Sequence, residues 1–185
     1  METRECIKTR RSIRRFTDEP VSDDLLYEVL EAVRWAPSWA NTQCWEIIVV
    51  KDSSTKDKIA SILSPNNPAA KGVKEAPVVL IVCGRTGLAG FKDGVAKTDK
   101  GDWYMFDVGI ACQNLCLAAH DLGLGTVHVG SLDHKALDEL LGLPEDVKSV
   151  EVIPLGYPAK EGKAPPRKAI EDFVYFEKYG NKIKA

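Results

Sequence analysis

Apolar positions recur along the chain with two periods, one typical of helices and one typical of strands. The first helical pattern follows Ser22, which is suited to cap a helix whose first turn holds two aspartates. Apolar residues then return every three or four positions until Pro37, as on one face of a helix: Leu26, Val29, Leu30 and Val33. Three further helices are predicted over 55–63, over 102–122 and from the cap Asp133 to Leu141.

Short apolar runs rich in β-branched residues predict the strands. The runs lie at 45–51, 77–83, 125–130 and 147–156, and the alternating segment 173–179 predicts a fifth strand. A turn-rich loop is predicted over 65–72, and a mobile, glycine-rich surface loop over 84–101. Helices and strands alternate without a linker, so residues 1–185 are predicted to form one α+β domain, a three-layer sandwich.

Composition and charge exclude several classes of function. The 185 residues carry a net charge of -2, so we expect neither nucleic acid nor a membrane surface as a partner. The N-terminus lacks an apolar signal core, and the longest apolar run is too short to span a bilayer, so we expect a cytoplasmic protein. The five cysteines form no CxxC pair and are expected to be buried thiols in a reducing compartment. The three histidines form no zinc-type pair, and we expect no metal site.

The segment RRSIRRF, residues 10–16, places four arginines within six positions. If the segment is extended, Arg10, Ser12 and Arg14 lie on the same side, because side chains alternate along a strand. Two guanidinium groups beside a hydroxyl form a receptor for a phosphate or for an electron-rich ring edge. The alternative is a solvated basic surface.

The segment APSWANTQCW, residues 36–45, follows a predicted helix and precedes a predicted strand. Its polar residues include Ser38, Asn41 and Gln43, and two indoles, Trp39 and Trp45, provide flat apolar surface. Polar groups beside indoles suit a flat heteroaromatic ligand. The alternative is a capped helix end followed by a turn.

Two later segments carry weaker signals. The segment GLGTVHVG, residues 123–130, lacks the spacing of a dinucleotide fingerprint and precedes a strand, so a left-handed cap on the long helix is the favoured interpretation. Gly130 could instead let the backbone approach a planar ligand closely. Arg167 and Lys168 follow two prolines and are either a surface loop or an anion contact. Because no catalytic triad, zinc motif or phosphate-binding loop occurs, these clusters indicate a cofactor that brings its own chemistry.

Four segments, taken in order, resemble the nitroreductase family of flavoproteins: RRSIRRF, PSWANTQCW, GIACQNLCLAAHDLGLGT and IPLGYPAKEGKAPPRK. The resemblance covers nearly the whole chain. It implies an α+β fold with a mixed, mainly antiparallel sheet, and a homodimer that binds two FMN molecules at its interface. It also implies that the C-terminal tail, FVYFEKYG, is swapped onto the partner subunit.

The resemblance further implies which residues contact FMN. From one subunit these would be Arg10, Arg11, Ser12 and Arg14, with Arg14 near the pyrimidine edge of the flavin and Arg10 nearer the phosphate. From the other subunit they would be Pro37, Ser38, Trp39 and Asn41. The backbone at Val129 and Gly130 would approach flavin N5, and Arg167 would reach the phosphate. Cys44 stands where the family commonly has proline, so the local turn is expected to differ.

The function implied is a two-electron reductase that uses NAD(P)H and a flat electron-poor acceptor such as a nitroaromatic or a quinone. No side chain would act as nucleophile, acid or base, because flavin N5 carries the chemistry, and Arg14 would tune its potential. By position, Trp103, Tyr104 and Phe106 line the acceptor pocket or belong to the core. The alternatives are a reductive dehalogenase, an FMN-fragmenting relative, against which Ser12 weighs, and a flavin-binding electron carrier without turnover.

Overall fold

The computed structural model describes residues 1–182, which form six helices, six strands and two short 3₁₀ turns. The helices are α1 (Thr3–Thr9), α2 (Asp23–Arg34), α3 (Ser53–Ile62), α4 (Ala70–Glu75), α5 (Tyr104–Asp121) and α6 (His134–Leu141). The strands are β1 (Trp45–Val50), β2 (Val78–Arg85), β3 (Phe91–Lys92), β4 (Val95–Ala96), β5 (Gly125–Thr126) and β6 (Val147–Gly156). The 3₁₀ turns are Trp39–Asn41 and Ile170–Asp172. Within this part of the chain, no helix is both long enough and apolar enough to cross a membrane.

Four strands form one sheet in the order β1-β2-β6-β5, and every pair is antiparallel. A single parallel bridge, from Ser12 to Thr126, adds the N-terminal segment at the β5 edge. β2 is buried on both faces. Its residues Val79 and Ile81 pack in one core with α3, α4 and α6, and Val78 and Leu80 pack in a second core with α2 and α5. The sheet therefore lies between two helical layers, which confirms the predicted α+β sandwich.

Helix ends follow the local rules of capping. Ser22 accepts a hydrogen bond from the Leu25 amide, as predicted, and Asp133 caps α6 in the same way. Asp52 caps α3, so that helix begins at Ser53, two residues before the predicted start. Gly123, which follows α5, has φ +79, which confirms the left-handed turn expected there.

The structure corrects two predicted strands. Residues 125–130 form a strand only at 125–126, after which Val129 alone pairs with Val152. The next partner on that side of β6 is Pro154, which has no N–H to donate, so the ladder is interrupted. Among residues 1–182 the segment 173–179 forms no strand: a 3₁₀ turn precedes it, and its one bridge there joins Tyr175 to Lys182.

Three short elements lie where the sequence predicted none. α1 buries only Cys6, and α4 buries only Gly72 and Val73, so neither has an apolar stripe long enough to give a helical period. The hairpin of β3 and β4 occupies the middle of the loop predicted over 84–101. All five cysteines are free and buried, as expected.

Candidate cofactor site

The arginine segment is extended and anchored on both sides. Ile13 and Phe16 are buried in the core, and the Ile13 amide donates to the carbonyl of Thr126 at 2.8 Å. Near the end of the segment, the Ala159 amide donates to the carbonyl of Arg15 at 3.0 Å. The core anchors therefore hold the arginines in a fixed register along the β5 edge.

These arginines line a cavity of about 390 Å³ together with a later basic segment. The cavity brings together Arg10, Arg11, Ser12, Arg14 and Arg167, all five of which sequence reasoning assigned to one ligand. It also contains Lys160 and Lys163, which that reasoning did not assign. Both lysines belong to the segment KEGK, which follows β6. The sequence alone does not show that this segment lies beside the arginines, because only the fold brings the two together. The segment passes close to the arginines at Gly162, where an added Cβ would lie 2.3 Å from Arg11 Cβ.

Seven cations and one carboxylate, that of Glu161, line this cavity, so most of its positive charge is not balanced within residues 1–182. Arg11, Arg14 and Arg167 donate hydrogen bonds only to backbone carbonyls, and none of the cavity's cations forms an ion pair in that part of the chain. Arg10 Nη1 is buried without any hydrogen-bond partner in the described residues. An unpaired buried guanidinium N–H is costly, so this arrangement fits an anionic ligand.

The segment between α2 and β1 forms a strained turn. Ala40, Asn41 and Gln43 have φ between 45 and 57, although none of them is glycine. Ser38 Oγ accepts a hydrogen bond from the Gln43 amide at 2.9 Å and so closes the turn. Thr42 Oγ1 is buried there without a hydrogen-bond partner among residues 1–182.

Beside this turn lies a second cavity, of about 300 Å³, with aromatic walls. Trp39 and Trp103 have ring centroids 5.4 Å apart, and Trp103 and Phe106 meet edge to face at 5.5 Å. Pro37 and Ser38 also line this cavity.

The structure places the remaining predicted residues elsewhere. Asn41 and Tyr104 do not line the aromatic cavity. Tyr104 instead packs on β2, where a Cβ at Gly84 would lie 2.4 Å from its ring. Val129 is buried in its bridge to β6, whereas Gly130 is exposed.

One buried carboxylate in this region was not identified from the sequence. Asp107, on α5, is 2% exposed and accepts a hydrogen bond from the Trp39 amide at 2.9 Å. Its Oδ2 lies 3.8 Å from Cys44 Sγ. Burial, together with the charge of Asp107, raises the pKa of Cys44 to about 11, so Cys44 stays a thiol at neutral pH. The only sequence signal was a lone acid within an otherwise apolar helical pattern.

The arginine cavity and the aromatic cavity share no lining residue, and each lies near a buried polar atom that has no partner in residues 1–182. One chain thus presents two separate partial sites. Such a division is expected where a ligand lies between two copies of the same chain.

Comparisons with known proteins agree with this geometry. The model of the nitroreductase family matches residues 7–72 and 63–157. The chain is 34% identical to the NAD(P)H-dependent FMN reductase of Bacillus subtilis, over 97% of this chain and 75% of that protein. It is 31% identical to iodotyrosine deiodinase 1 of Rattus norvegicus, over 89% of this chain and 65% of that protein. The solved structure of an FMN-dependent nitroreductase from Clostridium difficile R20291 superposes with a TM-score of 0.78 at 26% identity, covering 96% of this chain and 100% of that one.

The chain therefore belongs to the nitroreductase family. Its relatives include flavin oxidoreductases that use NAD(P)H.

Proposed function

We propose that the protein is an FMN-dependent oxidoreductase that takes two electrons from NAD(P)H and passes them to a flat electron-poor acceptor. The observation that carries this proposal is the arginine cavity, whose cations outnumber its single acid, Glu161, and form no ion pair within residues 1–182. The FMN phosphate carries close to two negative charges, and Arg10, Arg167 and Lys163 would supply the matching donors. The Bacillus subtilis and Clostridium difficile relatives support FMN as the cofactor.

The residues present fit the whole cofactor when two chains contribute. The arginine cavity of one subunit would hold the phosphate and the pyrimidine edge. The turn at 38–43 of the partner would bring Ser38, Trp39 and Asn41 to the ring system. In addition, the backbone of Gly130 would lie near the N5 atom of the flavin. When bound, FMN would supply the hydride chemistry between NAD(P)H and the acceptor, while the protein binds and orients the reactants and excludes water.

The aromatic cavity suits the acceptor. Trp103 and Phe106 offer stacking surface, and Asp107 is the one ionisable group among its lining residues. Because that carboxylate is buried and already hydrogen-bonded, the accessible wall favours neutral planar molecules. Quinones and nitroaromatics have this shape and polarity.

Steady-state turnover separates this proposal from its alternatives. We expect NADH or NADPH oxidation that depends on FMN and on a quinone or nitroaromatic acceptor. Bound FMN without turnover with either donor would favour an electron carrier. Release of iodide from 3-iodotyrosine, in the absence of quinone reduction, would favour the dehalogenase chemistry that the deiodinase relative suggests.

Mixed dimers test whether two subunits share each site. We consider Arg10→Ala in the arginine cavity and Asn41→Ala in the turn. A dimer with one substitution in each subunit would contain one intact site and one doubly altered site. We expect this mixed dimer to bind about one FMN per dimer with unaltered affinity, whereas each altered homodimer binds FMN only weakly. A mixed dimer that binds FMN as weakly as the altered homodimers would contradict a shared site. It would mean that Arg10 and Asn41 contact FMN from the same chain, or that they do not contact it.

A further inference from the structure

Asp107 is a buried carboxylate without a cationic partner among residues 1–182. Its helix, α5, carries it into the second core, next to Val108 and Ala111. A carboxylate in such a place is destabilising unless hydrogen bonds satisfy it. An apolar side chain of similar size would leave the Trp39 amide without its acceptor, so the carboxylate at this position serves to hold that amide.

The contacts of Asp107 lie at the two ends of the strained turn. Oδ2 accepts the Trp39 amide at 2.9 Å where the turn begins, and Cys44 Sγ lies 3.8 Å from the same atom where the turn ends. Between these contacts Ala40, Asn41 and Gln43 hold left-handed conformations that non-glycine residues seldom adopt. Such conformations persist only when neighbouring contacts restrain them. Within the turn, Ser38 Oγ accepts the Gln43 amide, and the carbonyls of Ser38 and Trp39 accept the amides of Asn41 and Thr42. The contacts with Asp107 add a restraint from outside the turn, because they tie it to α5.

We propose that Asp107 is a positioning residue for the flavin ring: it fixes the turn at 38–44 so that Ser38, Trp39 and Asn41 meet FMN in one orientation. The inference rests on the proposed function. It also links the cofactor to the acceptor, because Trp39, held by Asp107 through its amide, packs against Trp103 in the aromatic cavity. A shift of the turn would therefore disturb both the ring of FMN and the wall of the acceptor pocket.

The test compares Asp107→Ala with Asp107→Asn in the 185-residue chain. Alanine leaves the Trp39 amide unpaired, whereas asparagine keeps an acceptor oxygen at nearly the same place. We expect Asp107→Ala to raise the Kd for FMN by about tenfold or more and to change the circular dichroism of the flavin absorption bands, which reports ring orientation. We expect Asp107→Asn to keep the Kd within about threefold and the flavin dichroism close to that of the unsubstituted protein.

Asp138→Ala is the matched control. Asp138 is also a helical aspartate whose carboxylate accepts one backbone amide, that of Ser149, at 3.0 Å, but it lies on α6 on the other side of the sheet. We expect it to lower thermal stability while leaving the FMN Kd and the flavin dichroism unchanged. If Asp107→Ala does not fold, Asp107→Ser takes its place, because the serine hydroxyl is too short to reach the Trp39 amide.

Two outcomes would overturn the assignment. One is an unchanged FMN Kd and flavin dichroism in a folded Asp107→Ala or Asp107→Ser variant. The other is an equal loss of FMN affinity in Asp138→Ala, which would show a general effect of destabilisation. Failure of the unsubstituted protein to bind FMN would be a different result, because it would refute the proposed function itself.

Discussion

At the scale of single residues, arginines in two parts of the molecule have contrasting surroundings. Arg85 pairs with Glu46 and Asp146, and Arg34 pairs with Glu31. Arg11 donates only to the carbonyls of Lys8 and Arg10, and Arg14 only to that of Ser12. Arg34 and Arg85 thus have ion-pair partners within the chain, whereas the arginines of the cavity form no ion pair among residues 1–182.

Replacement of Arg14 tests the proposal that this residue tunes the flavin. Arg14 is exposed, so Arg14→Ala should keep the fold. We expect roughly tenfold weaker FMN binding and a lower flavin potential, because one charge-assisted hydrogen bond is lost and a cation no longer stabilises the negative charge gained on reduction. Equilibrium titration and potentiometry measure both quantities. Arg34→Ala is the control, and equal behaviour of the two variants would remove Arg14 from the site.

The contacts of His128 make the stability of the protein depend on pH. His128 Nε2 lies 3.4 Å from Cys116 Sγ, and its Nδ1 lies 2.9 Å from Glu151 Oε2. These two hydrogen bonds raise the pKa of His128 to about 10, well above the value of about 6.5 in an unfolded chain. The protonated form therefore favours folding, and its contribution is full below pH ~6.5 and lost as the pH rises towards the folded pKa.

Urea unfolding across this pH range measures the effect. We expect the free energy of unfolding of the unsubstituted protein to decline more steeply from pH 6.5 to 10 than that of His128→Gln. Groups that titrate in both proteins contribute equally to the two pH profiles, so the difference between the profiles reports His128. Parallel pH profiles for the two proteins would show that His128 is not held in its charged form.

At the scale of helices and strands, the sequence predicted the elements that contribute most to the core. α2 and α5 bury apolar residues at helical spacing, and β2 and β6 contain apolar runs, so both patterns are visible in the sequence. β5 is shorter than predicted because Pro154 on the neighbouring strand offers no donor, which only the strand pairing reveals. The arginine segment was predicted as a binding site from its local pattern. Lys160, Lys163 and Asp107 were not predicted, because only the tertiary fold brings the two lysines to the cavity and Asp107 to the turn.

Helix capping offers a prediction at this scale. Asp52 accepts both the amide and the hydroxyl of Thr55, at 2.7 and 2.8 Å. Asp52→Ala should lower the free energy of unfolding by about 1 kcal/mol, the usual contribution of such a cap. Lys58→Ala, on the exposed face of α3, is the control. A change in chemical denaturation no larger than that of the control would contradict the role of Asp52 as a cap.

At the scale of the whole molecule, the chain leaves apolar side chains uncovered. Met105 and Phe106 on α5 are more than half exposed, and so are Phe173, Phe176 and Tyr179 in the tail. Exposed aromatic residues in this number are typical of a surface that contacts another protein. A homodimer would cover them and join the two partial sites.

The tail offers a direct test of this arrangement. We predict that it packs on the partner subunit, and truncation before Phe173 should therefore weaken both the dimer and its retention of FMN. Analytical ultracentrifugation and flavin content measure these effects. Removal of residues 183–185 alone is the control. A truncated protein that remains a stable dimer loaded with flavin would refute the prediction.

The proposed function requires that this chain binds FMN and that NAD(P)H reduces the bound FMN. The most direct measurement is the visible absorption spectrum of the purified protein, reconstituted with FMN, before and after anaerobic addition of NADH or NADPH. We predict flavin absorption at about 450 nm, as for any oxidised flavin. This absorption should stay with the protein on gel filtration and bleach with at least one donor. A protein that retains no flavin after incubation with FMN would contradict the assignment of both cavities, and bound flavin that neither donor bleaches would contradict the reductase activity.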